Sequence, residues 1–464
     1  MLTACKRLRG LAAVLLGLAW PLASLAQFEM PKPAQAGSLG APNTAPARLS
    51  YQYNYGTESP FTYRRNNDLD SRVADNVLLF KTKVYASIVY RPTDWLVLAL
   101  EVTLGREYPL HEEALISLPN GDLRTPPARP PTLLVEQALV TLRQVIAPFE
   151  INLGRRNYED ERHWVFDGWM DVASLGYRRE NVRAEAMVAR DVLWSLDALS
   201  HASKQRIETA YLYADYRGFD NHVLAAYALK RRDLDGREGA PLMLALRGSG
   251  KPTAAFNWWL EAAALRGHDE NGQRFRAWGL DVGGTYRFAD LPFDPNFTLA
   301  FAQGSGDGNP DDGVNTQFRQ TGQQSNEARY IGLSKFKAYG EVLDPELSNL
   351  RVMTLGLGAR ARPGISIDLV YHRYHLKAPA SEIRNWALTA QMNSLAGAAS
   401  TDVGQALDLV IGLRGLFDIR RLGLDLRAGL FLPGHAFRTS DGSLANPVAR
   451  RADRGASIVA KFRY

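Results

Sequence analysis

The C-terminal residues 456–464 alternate between an apolar face and a mainly polar face. In an extended strand the apolar face would carry Ala456, Ile458, Ala460, Phe462 and Tyr464. The opposite face includes Lys461 and Arg463. A strand with one face suited to lipid, one suited to water and an aromatic C-terminus is typical of a β-barrel that closes in a bacterial outer membrane.

The same two-residue period recurs along most of the chain. Between Phe80 and Leu104 two alternating segments flank a Pro-Thr-Asp turn, which predicts a hairpin. Because a soluble sandwich would bury Lys83 and Glu101 in an apolar core at high cost, a water-filled barrel is favoured. We therefore predict an all-β fold, a transmembrane antiparallel β-barrel of outer-membrane type with about 18 strands. The predicted strands start near residues 48, 79, 95, 132, 149, 174, 182, 207, 222, 241, 254, 275, 296, 350, 364, 406, 422 and 456.

The connections between these segments fall into a short set and a long set. Placing the end of the last strand in the periplasm makes the short connections at 91–94, 145–148, 217–221, 248–253, 289–295, 362–363 and 417–421 periplasmic turns. The long connections, including 105–131, 304–349 and 375–405, then lie outside the cell, which matches the asymmetry of outer-membrane barrels.

The N-terminus predicts export from the cytoplasm. Basic residues precede an apolar run at 11–22 and a small-residue cleavage motif ending at Ala26, which indicates a signal peptide over 1–26. Residues 27–47 are rich in Pro, Ala and Gly and are expected to be disordered, and the barrel is expected over 48–464. Cys5 lies inside the signal, so no disulfide and no cysteine-based site is expected after cleavage. The formal charge falls from +6 to +3 when Lys6, Arg7 and Arg9 are removed, and such a balance says little about partners.

Several segments resemble the alginate export family of outer-membrane porins. They are FRQTGQQSN (318–326), YGEVLDPELSNL (339–350), IDLVYHRY (367–374), GQALDLV (404–410) and RAGLFLPGHAF (427–437), with a thinner likeness in LGRRNYEDERHW (153–164). The resemblance implies an 18-stranded monomeric barrel with a positively charged lumen, through which an alginate-like polyuronate leaves the cell passively. It also implies an outer-membrane location in contact with lipid, a periplasmic secretion-scaffold partner, no nucleic acid, no cofactor and no enzymatic activity.

The resemblance also places residues along the pathway. Lys83 and Lys335 stand where the family has pore arginines, Asp167 and Asp197 match pathway carboxylates, and Arg155 and Arg427 match arginines beside the pathway. The full predicted pathway comprises Lys81, Lys83, Arg155, Arg156, Asp167, Asp197, Lys335, Lys337, Arg427, Lys461 and Arg463.

Other positions depart from the family. Glu327 and Asp425 replace arginines, and Tyr53 or Gln52 replaces a pore lysine. The turn at 418–421 is too short for the periplasmic plug that alginate exporters carry before the penultimate strand. Either the gating or the cargo is therefore expected to differ.

The strand periodicity bears on several of these residues directly. Lys81 and Lys83 share the predicted lumen face of a strand whose other face suits lipid. Arg155 and Arg156 are adjacent and cannot both face inward on a regular strand. Asp425 and Arg427 share the lumen face, where they form either a structural ion pair or part of the path.

Two further hypotheses stay open. Asp307, Asn309 and Asp311 alternate like ligands of a calcium loop, although the pattern lacks the Gly and Glu of a true one, so a polar external loop is the alternative. For the whole chain, an uptake or general porin for small acidic solutes or oligosaccharides is the main alternative. A barrel hydrolase is a further one, although no Gly-x-Ser-x-Gly element is present.

Overall fold

The computed structural model describes eighteen long antiparallel strands. The described residues are 50–71, 75–112, 116–117, 123–124, 129–143, 145, 147–191, 193, 195–200, 206–380, 382–384, 387–388, 390, 392, 400–439 and 450–464. The strands are β1 (Ser50–Arg65), β2 (Val77–Arg91), β3 (Leu96–Glu112), β4 (Thr132–Arg143), β5 (Phe149–Glu159), β6 (Asp167–Arg179), β7 (Val182–Arg190), β8 (Ile207–Tyr216), β9 (His222–Asp233), β10 (Ala240–Thr253), β11 (Phe256–His268), β12 (Ala277–Arg287), β13 (Asn296–Gly304), β14 (Leu350–Arg362), β15 (Ile365–Leu376), β16 (Asp402–Arg414), β17 (Gly423–Pro433) and β18 (Gly455–Arg463).

Each strand pairs with the next, and β1 pairs with β18, so the sheet closes on itself. At this closing seam Arg65 lies opposite Ala456 and Glu58 opposite Arg463. The C-terminal Tyr464 exchanges backbone hydrogen bonds of 2.9 and 3.0 Å with Thr57. Closure leaves no free strand edge, which is the condition for a sheet to span a bilayer. The predicted barrel and its strand count are confirmed.

Alternation sets the two faces of the wall. On β11 the side chains of Trp259 and Glu261 point into the barrel and are buried. On the neighbouring strands Val282 and Leu299 point outward and are exposed, as a lipid-facing surface requires. The strand starts agree with prediction within two residues, except that β6 starts at 167 and not 174, and β16 at 402 and not 406.

One predicted turn is wrong. The segment 248–253 contains Gly248, Gly250 and Pro252, but β10 runs through it to Thr253 and the turn falls at 254–255. The two glycines serve close packing and not a turn. A Cβ on Gly248 or on Gly250 would lie only 2.8 Å from the indole of Trp258. The glycines therefore make room for a tryptophan inside a continuous strand.

The two ends of the barrel differ. At the turn end the connections are 92–95, 144–148, 180–181, 217–221, 254–255, 288–295, 363–364 and 415–422, the last containing a 3-10 helix, Leu416–Asp418. At the loop end lie the longer connections, among them 305–349 and 377–401. No helix in the described part of the chain combines the length and apolar character needed to span a bilayer. The predicted signal peptide at 1–26 and the lead-in at 27–47 lie outside the described residues.

The barrel interior departs from the predicted water-filled lumen. Residues 305–349, here called the inward loop, enter from the loop end and fill part of the interior. The side chains of Phe318, Leu343 and Leu347 are buried in a cluster that also includes Trp164, and Phe336 is buried with Val370 and Val410. The prediction that 304–349 lies outside the cell is therefore wrong for most of this loop. Its apolar residues follow no strand or helix period, so no pattern in the sequence distinguishes it from an exposed loop.

Candidate functional site

The inward loop reaches from the loop end to the turn end of the barrel. Two short paired strands, Glu327–Ala328 and Phe336–Lys337, form a hairpin whose tip is 329–335. At the tip, the backbone N–H of Leu333 donates to Ser366 Oγ at 2.8 Å, and Arg414 donates to the Leu333 carbonyl at 2.8 Å. Ser366 and Arg414 flank the turns at 363–364 and 415–422, so the tip is tied close to the turn end.

A second loop, 160–166, packs against the inward loop. The carboxylate of Asp160 accepts hydrogen bonds from the backbone N–H groups of Trp164, Val165 and Phe166 at 2.8 to 3.0 Å, which fixes the turn. Trp164 in turn donates from Nε1 to the Tyr339 hydroxyl at 3.0 Å. The two loops therefore form one interior unit.

This unit covers one side of the inner wall. Inward side chains on β11–β17, including Glu261, Asp281, His372 and Asp408, are buried. Arg162 from the second loop lies 4.1 Å from the Trp259 ring and 3.2 Å from the Asp281 carboxylate. These buried charges stabilise the interior unit and are closed to a passing solute.

The strands next to this covered part of the wall keep charged side chains open to solvent. On β18, β1 and β2 the side chains of Lys461, Glu58, Arg463 and Lys81 are 22, 26, 44 and 45% exposed, and Lys83 is partly exposed. We call these five residues the charged wall.

Carboxylates accompany the cations of the charged wall. Glu58 lies directly opposite Lys83 on β2 and Arg463 on β18, and its oxygens are 3.1 Å from Lys461 Nζ and 3.6 Å from Arg463 Nε. Lys81 Nζ lies 2.7 Å from Glu107. The wall is therefore a mixed-charge surface, whereas the sequence predicted a positive one. Glu58 was missed, although the outward Tyr51, Tyr53 and Tyr55 place it on the inner face by alternation.

The two carboxylates that replace family arginines, Glu327 and Asp425, form contacts inside the barrel. Glu327 accepts from Arg427 Nη1 at 3.3 Å and lies 4.0 Å from Lys337 Nζ, which also contacts Asp344 at 3.2 Å. Asp425 bonds to Ser334 at the loop tip and to Arg463 at 3.1 Å. The replacing carboxylates thus hold the inward loop to β17. Gln52 lies on the inner face and is exposed, whereas Tyr53 points outward.

Arg155 and Arg156 have different environments. Arg155 is fully buried, forms a two-point ion pair with Asp171 at 2.8 and 3.0 Å, and donates to the carbonyls of Val135 and Ser195. Arg156 is partly exposed, with its guanidinium 4.4 Å from the Tyr158 ring. Arg155 is thus closed to solvent, and we leave it out of the pathway proposed below.

The remaining predicted residues lie in connections or at strand ends. Asp197 accepts a hydrogen bond from the backbone N–H of Leu133 at 2.9 Å and so ties the 191–206 connection to β4. Asp307, Asn309 and Asp311 lie in the outer part of the inward loop, where Asp307 accepts from the Asn309 N–H at 3.0 Å.

Asp167, His163 and Lys335 form a short chain of contacts. Asp167 Oδ2 lies 2.9 Å from His163 Nδ1, and Lys335 Nζ lies 2.8 Å from His163 Nε2. Burial disfavours the charged imidazole, but the hydrogen bond and charge of Asp167 outweigh it and raise the pKa of His163. The structure therefore brings together the predicted Asp167 and Lys335 through a histidine that the sequence did not single out.

Glu341 of the inward loop has the environment of a neutral acid. Burial raises the pKa of its carboxyl from 4.5 to about 7, against the charge of Arg427, which lowers it. Asp408 and Glu327 raise the pKa further, and the backbone N–H of Lys337 lowers it by donating to the carboxylate. The carboxyl is thus poised to change charge near neutral pH.

This shift predicts a pH effect on the inward loop. Because the raised pKa favours the protonated acid in the folded loop, its stabilisation is complete below about pH 4.5 and is lost as pH rises through about 7. We expect protease cleavage of the inward loop to quicken between about pH 5 and pH 8, and Glu341→Gln to flatten that change. Asp307→Asn, in the outer part of the same loop, is the control and should leave the profile unchanged. A profile unaltered by Glu341→Gln would contradict the assignment.

The sequence matches one protein family over most of its length. The model of the alginate export family matches residues 44–449. Alginate production protein AlgE of Pseudomonas aeruginosa is 31% identical over 207 residues, which is 39% of this chain and 41% of that protein. AlgE of Azotobacter vinelandii is 29% identical over 183 residues, which is 36% of this chain and 37% of that protein. These alignments therefore span about two fifths of the relatives.

Solved structures with the same fold are more distant in sequence. Pseudomonas aeruginosa OccK2 (OpdF) in complex with glucuronate superposes with a TM-score of 0.53, covering 89% of this chain and 95% of that one. The identity is 13%, so the likeness shows the barrel fold alone.

Proposed function

This chain belongs to the alginate export family, and from that premise we propose that it is an outer-membrane porin that exports an anionic, alginate-like polysaccharide. Passage is passive, with the turn end of the barrel in the periplasm and the loop end outside. The protein acts as a monomer after removal of its signal peptide, next to a periplasmic secretion scaffold. No bond of the cargo is made or broken.

The charged wall carries this proposal. Lys81, Lys83, Lys461 and Arg463 present cationic groups to the part of the interior that the inward loop leaves accessible. A polyuronate that enters a narrow passage loses part of its hydration, and fixed cations compensate for that loss. The route thus runs between the charged wall and the inward loop, where Lys335 and Lys337 are partly buried.

Carboxylates on the charged wall and beside it set how tightly the cargo is held. Glu58 and Glu107 already neutralise part of the cationic charge, so each contact with the polymer is weak. Conduction requires sites that bind strongly enough for entry and weakly enough for release. A mixed-charge wall meets both conditions for a chain that must slide along many contacts.

Charge reversal tests the route. Lys83→Glu combined with Lys461→Glu should lower the anion over cation permeability ratio severalfold, because both side chains face water inside the barrel. The reversal potential of the purified porin in planar bilayers under a salt gradient measures this ratio. The matched control is Arg179→Glu at the 180–181 turn, where the side chain is 71% exposed, and it should have little effect. Unchanged selectivity in a folded double variant would remove the charged wall from the route.

Uptake of small acidic solutes is the second candidate. The filled interior favours it, because the inward loop narrows a barrel of this size, and a structural neighbour was solved in complex with glucuronate. Conductance that responds to a monomeric uronate and not to the polymer would support this alternative.

A further inference from the structure

Three metal-ligating side chains meet where β5 ends and β6 begins. Glu159 closes β5, His163 lies in the 160–166 loop, and Asp167 opens β6. One ligand atom from each lies within 4.8 Å of the other two. His163 Nε2 is 3.5 Å from Glu159 Oε2, and His163 Nδ1 is 2.9 Å from Asp167 Oδ2.

The contacts fix which nitrogen is free to bind a cation. Asp167 Oδ2 lies 2.9 Å from Nδ1 and can only accept, whereas the ammonium of Lys335 lies 2.8 Å from Nε2 and can only donate. Nδ1 therefore carries the proton, and Nε2 keeps the lone pair. Asp167 is itself held, since its backbone N–H donates to the Gln323 carbonyl at 2.7 Å. A carboxylate behind a histidine in this way orients the ring and increases its basicity toward a metal ion.

Lys335 provides an independent observation at the same place. Its ammonium group, which can donate hydrogen bonds but cannot accept them, lies 2.8 Å from Nε2. The position beside Nε2 therefore already accommodates a cation. The Glu159 side chain is 45% exposed, so this position can be reached from solvent.

We propose that Glu159 and His163, with Asp167 as the positioning residue, form a site for a divalent transition-metal ion such as Zn²⁺, which displaces the ammonium of Lys335. An imidazole nitrogen with a carboxylate oxygen suits Zn²⁺ better than Ca²⁺, which prefers oxygen ligands alone. Water molecules complete the coordination sphere. The inference does not depend on the cargo of the porin.

Metal binding would have a consequence for the inward loop. Lys335 ends the hairpin tip 329–335 that is tied to the turn end. When the metal ion takes the position beside Nε2, the lysine side chain moves away from His163 toward the open interior. The site thereby links divalent metal ions to the arrangement of charge along the passage.

Isothermal titration of the full-length, detergent-solubilised porin with Zn²⁺ tests the site. We expect one ion per chain, loss of binding in Glu159→Gln and in His163→Ala, and affinity weakened about 10-fold to 100-fold in Asp167→Asn. Lys335→Met removes the competing ammonium and should tighten binding. His435→Ala, which alters an exposed histidine paired with Asp402, is the control and should bind like wild type.

The outcomes that overturn the proposal are equally specific. Binding that survives both Glu159→Gln and His163→Ala places the ion elsewhere. Zinc binding in Lys335→Met but not in the wild type means that the lysine holds the position permanently, and the native protein then has no metal site. Glu159→Gln changes a half-exposed side chain at a strand end, so it keeps the test valid if His163→Ala fails to fold.

Discussion

Removing the tip of the inward loop should raise the single-channel conductance severalfold. The change replaces residues 329–335 with Gly-Gly, which joins Ala328 to Phe336, two residues that already pair across the hairpin. The expected gain follows from geometry, because the tip occupies the interior near the turn end, at Ser366 and Arg414. A barrel of this many strands without an interior segment encloses an aqueous channel. Planar-bilayer recording of single channels measures the effect.

The same loop supplies the control for this experiment. Replacing residues 307–312, of which 308–312 are exposed, by Gly-Gly shortens the outer part of the loop by a similar length and leaves the interior part in place. We expect its conductance to match the wild type. Equal conductance in both variants would show that the tip does not restrict the channel.

Breaking the buried pair of Arg155 and Asp171 should cause the largest loss of stability. Arg155→Met leaves the Asp171 carboxylate without its guanidinium in a site closed to solvent, and removing one partner of a buried pair costs about 3–5 kcal/mol. The pair lies where β4 stops pairing with β5 and the 195–198 segment runs beside β4 instead. Urea unfolding of the porin in lipid vesicles, followed by tryptophan fluorescence, measures the change.

A second pair of variants separates the ion pair from simple packing. Arg155→Met with Asp171→Leu removes both charges, so it should be less destabilised than Arg155→Met alone. Arg179→Met alters an ion pair with Glu180 that is exposed on both sides and should leave the midpoint unchanged. A double variant no more stable than the single one would contradict the ion-pair account.

The strands of the barrel wall were predictable because each one has its own alternating sequence pattern. On β11 and β12 apolar and polar residues alternate, since one face meets lipid and the other meets the interior, and this period needs no knowledge of the partner strand. The start of β6 was predicted seven residues too late, at 174 and not 167, because the alternation is missing there. In its first half Met170, Asp171 and Val172 are all buried, so both faces are covered and the alternation disappears.

The interior was less predictable because its contacts are long-range. Nothing near Ser334 in the sequence indicates that it bonds to Asp425, ninety-one positions away. The resemblance to the family placed Asp167 and Lys335 in one pathway, but their link through His163 depends on how two loops pack. The adjacent arginines at 155 and 156 show the same limit, since alternation predicts different environments for them but not that Arg155 meets Asp171.

Current block by a polyuronate tests the central claim most directly. Purified porin in planar bilayers should be anion-selective, and polyuronate added to the turn-end side should block the current reversibly, with block weakened in the Lys83→Glu and Lys461→Glu double variant. A neutral polysaccharide of similar length should not block. Weak selectivity with a current that polyuronate leaves unchanged would contradict export of an anionic polysaccharide through this barrel.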